Sequence, residues 1–330
     1  MKLIDLNLDV PNYRPMTAWL RHGPFSMWLI RTMRPRRIVE LGTHYGFSYF
    51  SFCQAAAVSE VSADCFAVDT WAGDEHAGYY DESVYSKVVE ENRKYASFST
   101  LLRKTFAQAL EDIEDKSVDI LHIDGRHFYE DVKEDFISWV PKLSDRAVVL
   151  LHDTEVRERD FGVWRFWAEI ASEHPSINFP YEHGLGVLFW GKHIPDALAP
   201  FLSLIAAENS RELIENYFHM AGEAFSQKKY SDEQLDIWKA SLASERQATE
   251  ECRRQISSLI DDMHTTQNQL EVVKNQLMAA RKTPLVGLGH YLTYFFMSKI
   301  SGATSRKLPN FSKRAARSAA KRDPNRDIFL

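Results

Sequence analysis

An α/β fold is predicted: a doubly wound, mostly parallel seven-stranded sheet of the Rossmann-like kind, followed by a C-terminal coiled coil. Three observations predict it. Short apolar runs alternate with segments of helical period from Arg37 to Ser172, the rhythm of a parallel sheet covered on both faces. Two further apolar runs, Ile177–Tyr181 and Gly186–Gly191, are joined by a short turn holding His183 and Gly184, which reads as a hairpin adding an antiparallel strand. A 3-4 apolar repeat then runs from Leu235 to Ala280 without Gly or Pro, the pattern of a coiled-coil seam.

Taken in order, Met16–Met33 reads as an amphipathic lead-in helix ended by Pro35. The strands follow at Arg37–Leu41, Cys65–Asp69, Thr100–Arg103, Val118–Asp124 and Ala147–Asp153, with helices between them near Ser48–Val58, Ser83–Tyr95, Phe106–Ile113, Glu130–Val140 and Val163–Ser172. This main domain is expected to occupy residues 1–193 and a helical connector 194–231. The coiled coil, 232–282, carries Leu235, Trp238, Leu242, Cys252, Ile256, Leu259, Met263, Leu270, Val273, Leu277 and Ala280 at its a and d positions, interrupted only by Glu245, Thr249 and Thr266, and Pro284 ends it. Residues 283–330 are an aromatic segment, LVGLGHYLTYFFMSKI, and a basic tail. The aromatic segment falls short of the roughly 20 apolar residues a bilayer span needs. It suits either a membrane interface or a helix packed on a partner.

Composition limits the function classes. With 330 residues and 45% hydrophobic content the chain can bury a full α/β core with material left over. Residues 301–330 hold eight Lys or Arg against Asp323 and Asp327, a net +6, so the formal −6 of the chain leaves −12 on residues 1–300. An acidic body argues against nucleic acid as a partner, while the basic tail suits an anionic membrane surface. Cys53, Cys65 and Cys252 match neither a disulfide framework nor zinc spacing, and MKLIDLNLDVPNYRP has no apolar signal region. A cytoplasmic protein, with peripheral membrane contact through its tail and homo-oligomeric through its coiled coil, is the expectation.

The chemistry starts at Arg37-Ile38-Val39-Glu40-Leu41-Gly42-Thr43-His44-Tyr45-Gly46-Phe47-Ser48. A buried strand runs into a glycine loop and a helix, so the backbone passes close to a ligand and helix N–H groups face it. The spacing is E-x-G-x-x-x-G. A carboxylate at Glu40 repels the pyrophosphate of a dinucleotide and suits a cationic amino-acid tail, that of S-adenosylmethionine. Glu40, Gly42, Thr43, Gly46 and Ser48 are therefore candidate cofactor residues. Asp69 closes the next strand, one βα unit on, where it can accept both ribose hydroxyls, and Trp71 follows as a residue that either closes over the cofactor or packs in the core.

Asp124 and Asp153 end neighbouring strands, where two carboxylates a few Å apart call for a cation between them. Magnesium or a similar hard divalent ion is the natural occupant. His152 is either a third ligand or turned to the opposite face by strand alternation. His127, three residues beyond Asp124, is either a general base with a pKa near its ordinary ~6.5 or a loop histidine capping the next helix. His122 lies within its strand and reads as structural.

ELGTHYG, AVDTWAGDEHAG, LHIDGRHFYEDVKEDFISWVPKL, VVLLHDT, RERDFGVWRFW and HGLGV together resemble the class I S-adenosylmethionine-dependent methyltransferases. They are most similar to the metal-dependent branch that includes macrolide-sugar O-methyltransferases and cephalosporin hydroxylase-like proteins. The resemblance covers roughly residues 30–191. It implies a cofactor motif at Glu40, Gly42 and Gly46, a ribose carboxylate at Asp69, metal ligation by Asp124 and proton abstraction by His127. It implies methyl transfer to a hydroxyl of a sugar or other small glycan acceptor. Where that branch closes its metal site with two adjacent acidic residues, this chain has His152-Asp153. Arg157, Arg159, Asp160, Trp164 and His183 are candidates for the acceptor side. The alternatives are a hydroxylase-like accessory role and an assembly protein working through its coiled coil.

Overall fold

The computed structural model describes residues 9–281. A 3-10 turn, Leu20–His22, leads into α1 (Gly23–Met33), followed by β1 (Arg37–Leu41), α2 (Phe47–Val58), β2 (Asp64–Asp69), and a two-stranded ribbon of β3 (Gly73–Asp74) and β4 (Gly78–Tyr79). Next come α3 (Glu82–Asn92), β5 (Ser99–Arg103), α4 (Phe106–Ala109), β6 (Val118–Ile123), α5 (Tyr129–Trp139), β7 (Leu143–His152) and α6 (Val163–Ile170). The remaining elements are β8 (Ser176–Phe179), β9 (Leu185–Phe189), α7 (Ala199–Ala206) and α8 (Glu208–Arg281).

Seven strands form one sheet in the order β5-β2-β1-β6-β7-β9-β8. The first five run parallel, β9 lies antiparallel to β7, and β8 antiparallel to β9. This is the expected doubly wound sheet with its terminal hairpin. Strand order reverses between β1 and β6, and the crevice outside their carboxyl ends is where ligands bind in such sheets. Leu41 pairs with Ile123, so the glycine loop and Asp124 leave the sheet side by side.

Alternation along β1 divides its side chains between two cores. Ile38 joins Phe25, Leu29, Phe50 and Phe52 on one face, and Val39 and Leu41 join Phe136, Trp139 and Phe166 on the other. α2 is buried continuously from Phe47 to Ala56, which is why its sequence carries no charged residue on any side.

Several boundaries differ from the sequence expectation. The lead-in helix begins at Gly23 rather than Met16, with Pro24 in its first turn, where proline's missing N–H goes unneeded. It ends at Arg34, whose backbone is left-handed at φ 51° and whose N–H donates to the Ile30 carbonyl. β7 starts at Leu143, four residues before Ala147, across an irregular register with β6. α8 starts at Glu208, inside the expected connector, and buries Ile214, Phe218 and Phe225 in the domain core.

The chain divides between Ser241 and Leu242 into two compact units. In the second, side chains 243–279 of α8 are exposed. The expectations for the aromatic segment and basic tail fall outside the described residues. Among those described, no helix is long and apolar enough to cross a membrane.

Candidate functional site

The glycine loop is built from backbone. Gly42 has φ +87°, its N–H donates to the Val68 carbonyl at 2.9 Å, and a Cβ there would lie 2.0 Å from the Asp124 carbonyl oxygen. Only glycine fits, because both the conformation and the close approach to β6 exclude a side chain. Gly46 at φ +80° is the N-cap of α2.

Asp69 holds this loop in place. Its Oδ2 accepts the backbone N–H groups of Thr43 at 2.8 Å and His44 at 2.9 Å, and its Oδ1 accepts that of Trp71 at 2.7 Å. A carboxylate offers about four lone-pair sites, so three are used within the protein. Asp69, expected as the carboxylate that faces two ribose hydroxyls, lines the cavity and is at the same time a staple between β2 and the loop. Trp71 does not close over anything. It is buried, sits at φ 51°, donates its indole N–H to the His44 carbonyl and packs on Tyr85.

Glu40 is also placed differently from the expectation. It lies on the α2 side of β1, fully buried, with His122 Nδ1 at 2.8 Å from its Oε2. Burial raises its pKa, opposed by hydrogen bonds from His122 and Ser48. Strand alternation sends the Glu40 side chain beneath the helix, while the loop two residues on turns toward the crevice. Glu40, Ser48 and the buried His122 thus form a polar support under the loop, and neither Glu40 nor Ser48 lines the cavity.

The charged half of the site comes from the ends of β6 and β7 and the β8–β9 turn. His152 Nδ1 lies 3.3 Å from Asp124 Oδ1 and 3.3 Å from Asp153 Oδ2. Three ligand atoms, one each from Asp124, His152 and Asp153, fall within 4.8 Å of one another. The alternation that should send His152 and Asp153 to opposite faces is undone at Asp153, whose backbone turns left-handed at φ 61°. His127 Nε2 is 2.9 Å from Asp153 Oδ2 and 3.7 Å from Asp124 Oδ1, and His183 Nδ1 is 3.1 Å from Asp153 Oδ1.

His152 Nε2 faces the Glu182 carbonyl at 3.1 Å. A carbonyl only accepts, so Nε2 carries the proton. The Nδ1 lone pair then faces two carboxylates, an arrangement that needs a proton or a cation between them. Burial disfavours charge throughout the cluster, but the opposite charges outweigh it. They raise His152 well above the usual histidine range and hold Asp124 and Asp153 below the usual carboxylate range. For His127, burial lowers the pKa, yet the hydrogen bonds to Asp124 and Asp153 push it to about 9. With the carboxylates free, His127 is protonated at neutral pH, not poised near its ordinary value as the sequence led us to expect.

A cavity of about 370 Å³ joins the two halves, with Gly42, His44 and Asp69 on one wall and Asp124, His127, His152, Asp153 and His183 on the other. Residues 39–154, which contain both walls apart from His183, match the family described as "Methyltransferase domain". Over this stretch the chain is similar to methyltransferase domains.

Over 332 aligned residues the chain is 51% identical to an uncharacterized protein, y4gI, of Sinorhizobium fredii, covering 99% of this chain and 34% of that one. It thus spans about a third of that relative's length. Among solved structures, the O-methyltransferase TomG of Streptomyces achromogenes, involved in tomaymycin synthesis and determined with S-adenosylmethionine, is 18% identical at a TM-score of 0.40, covering 52% of this chain and 80% of its own. The TDP-rhamnose 3'-O-methyltransferase CalS11, from calicheamicin biosynthesis, is 18% identical at a TM-score of 0.38, covering 51% of this chain and 78% of its own.

Sequence reasoning missed several residues of the cavity and of the loop beside it. Phe161 stacks on His127 with ring centroids 4.6 Å apart and planes 9° from parallel, and the His127 carbonyl accepts the Gly162 N–H at 2.7 Å. A Cβ on Gly162 would lie 2.3 Å from the Tyr129 nitrogen, so Phe161-Gly162 is a clamp on the His127 loop. The motif RERDFGVWRFW carried that signal, but attention went to its charged residues. Of those, Arg159 lines the cavity, while the Arg157 guanidinium lies over the Trp164 ring. His76, from the short β3–β4 ribbon, reaches the Arg159 carbonyl at 2.8 Å. On the opposite wall Phe106 packs where a Cβ on Gly125 would be, 2.4 Å from its ring.

Proposed function

We propose that this domain is an S-adenosylmethionine-dependent O-methyltransferase, assisted by a divalent cation, acting on a hydroxyl of a sugar or other small polyol. The observation that carries the reading is the Asp124, His152, Asp153 group, its ligand atoms within 4.8 Å, facing a glycine loop across one cavity. The donor set fits a cation: two carboxylates and an imidazole nitrogen whose lone pair is aimed between them. Two oxygen donors and one nitrogen suit magnesium, or a slightly softer ion such as manganese. When bound, the ion supplies Lewis-acid polarisation of an acceptor hydroxyl, and S-adenosylmethionine supplies an electrophilic methyl group.

The chain's own residues do the rest. Gly42 lets the backbone approach the ligand, and Asp69 keeps the loop rigid through its three N–H contacts. Asp124 and Asp153 decide whether His127 can act as a base. While they accept its hydrogen bonds, its proton is held. When both are engaged elsewhere, burial is the dominant remaining influence, and burial lowers its pKa. His127 Nε2, the ring atom facing the carboxylates, then takes the acceptor's proton as the oxygen gains the methyl group, while Phe161 holds the ring in orientation. Such a base contributes about 10²–10⁴-fold. The vicinal hydroxyls of a sugar would offer such an ion two oxygen donors, and the sugar class follows from the resemblance in the sequence motifs.

The test is incubation with methyl-labelled S-adenosylmethionine, a divalent ion and a panel of free and nucleotide-linked sugars. Label transferred to a hydroxyl, and lost on chelation, is the expected result. Bound cofactor with no label in any acceptor would favour the hydroxylase-like alternative and overturn the transferase reading.

A further inference from the structure

The second unit of the chain carries an apolar seam that nothing among the described residues covers. Ile256, Leu259, Met263, Leu270, Val273 and Leu277 are 53%, 63%, 69%, 56%, 45% and 47% exposed. They fall at a and d positions, with Thr266 alone between Met263 and Leu270, the 3-4 spacing of a coiled-coil seam. Thr266, the one hydroxyl at the a and d positions of this stretch, donates to the Asp262 carbonyl of its own helix at 2.9 Å. Burying it therefore leaves no unsatisfied hydroxyl proton.

The flanking positions distinguish between the two ways such a seam can pair with itself. The e row reads Arg253, Ile260, Gln267 and Lys274, and the g row Gln255, Asp262, Gln269 and Gln276. An antiparallel pair sets e against e, so Arg253 of each copy stands beside Lys274 of the other, and like charges meet twice. A parallel pair sets each e residue beside a g residue, placing Lys274 against Gln269 and leaving no like-charge contact. We propose that residues 252–279 pair with the same segment of a second copy of this chain, in parallel and in register. Leu259 then packs on Leu259, Leu270 on Leu270, and Cys252, at a d position, on Cys252. The upstream Glu245 and Thr249 interrupt the seam and mark where tight pairing begins.

This arrangement is independent of the catalytic reading and has its own readout. Cys53 and Cys65 are buried, and Cys252 is exposed. Mild oxidation of the full chain with diamide, which removes two electrons and two protons from a thiol pair, should give a disulfide-linked species of twice the 38.1 kDa monomer mass. Parallel d positions lie within disulfide reach. The species should be absent in Cys252→Ser. In that background, Val273→Cys should restore the cross-link to a comparable yield, because a parallel in-register pair brings every d position onto itself. Cross-linking at one of the two positions but not the other would show a shifted pair, a dimer that cross-links at neither would show an antiparallel one, and either would overturn the proposal. A monomer in sedimentation equilibrium at micromolar concentration, with no cross-link at either position, would overturn it equally. Retained far-ultraviolet helicity in each variant separates these outcomes from loss of fold.

Discussion

The two walls of the cavity are made of different material. The wall holding the glycine loop is backbone: Gly42 is fixed by steric exclusion against Asp124, and Thr43 and His44 are tied through their N–H groups to Asp69. The opposite wall is side chain: two carboxylates and three histidines, drawn from the ends of β6 and β7, the loop after β6 and the β8–β9 turn, held in mutual range by charge. The first wall is complete as it stands. The second gathers more negative charge than burial tolerates unless protons or a cation share it. A wall of backbone suits a cofactor whose shape never varies, and a wall of charge suits a reaction that moves a proton.

The largest effect should come from removing charge on the second wall. Asp153→Ala should lower methyl transfer by about 10³-fold or more, because it takes away both a ligand atom and the acceptor of His127. Cofactor affinity should change by no more than a few-fold, as calorimetry against steady-state turnover would show. A matching loss of cofactor affinity would erase the distinction between the walls.

The first wall should break through stability instead. Gly42→Ala adds a Cβ 2.0 Å from the Asp124 carbonyl oxygen at a φ of +87°, so it should cost at least about 3 kcal/mol in urea unfolding and abolish cofactor binding.

A smaller, pH-dependent effect belongs only to the charged wall. In chelated protein the pKa of His127 is about 9, above the ~6.5 of an unfolded chain. The stabilisation this represents is complete below about pH 6.5 and is lost as pH rises through about 9, on the order of 3 kcal/mol in total. Urea unfolding of chelated protein should therefore show lower stability at the alkaline end. His127→Gln should reduce that slope to the part due to His152, and a saturating divalent ion should flatten it. An unchanged slope in His127→Gln would place the titration elsewhere.

How far the site could be read in advance follows the same division. The alternation of strands and helices, the hairpin and the glycine loop were legible because they are local: apolar runs, turn residues and E-x-G-x-x-x-G spacing all act within a few positions of the chain. The convergence of Asp124, His127 and Asp153 was legible because parallel neighbouring strands end at one edge. What escaped was orientation. Nothing local says that Glu40 turns under α2 to meet His122, or that Asp69 spends three of its acceptor sites on backbone N–H groups. His152 shares a site with Asp153 only because φ at Asp153 is left-handed, a fact that strand periodicity argues against. Phe161 and His76 arrive from loops whose paths depend on tertiary contacts. The start of α8 at Glu208 was hidden because residues 208–231 pack on the domain and break the seam's periodicity.

The glycine-loop wall should take its cofactor without help from the charged wall. Calorimetric titration of S-adenosylmethionine into metal-stripped protein tests it most directly. One-to-one binding should persist after chelation and in Asp153→Ala. Absence of binding to the stripped protein, restored only when a divalent ion is added, would contradict it.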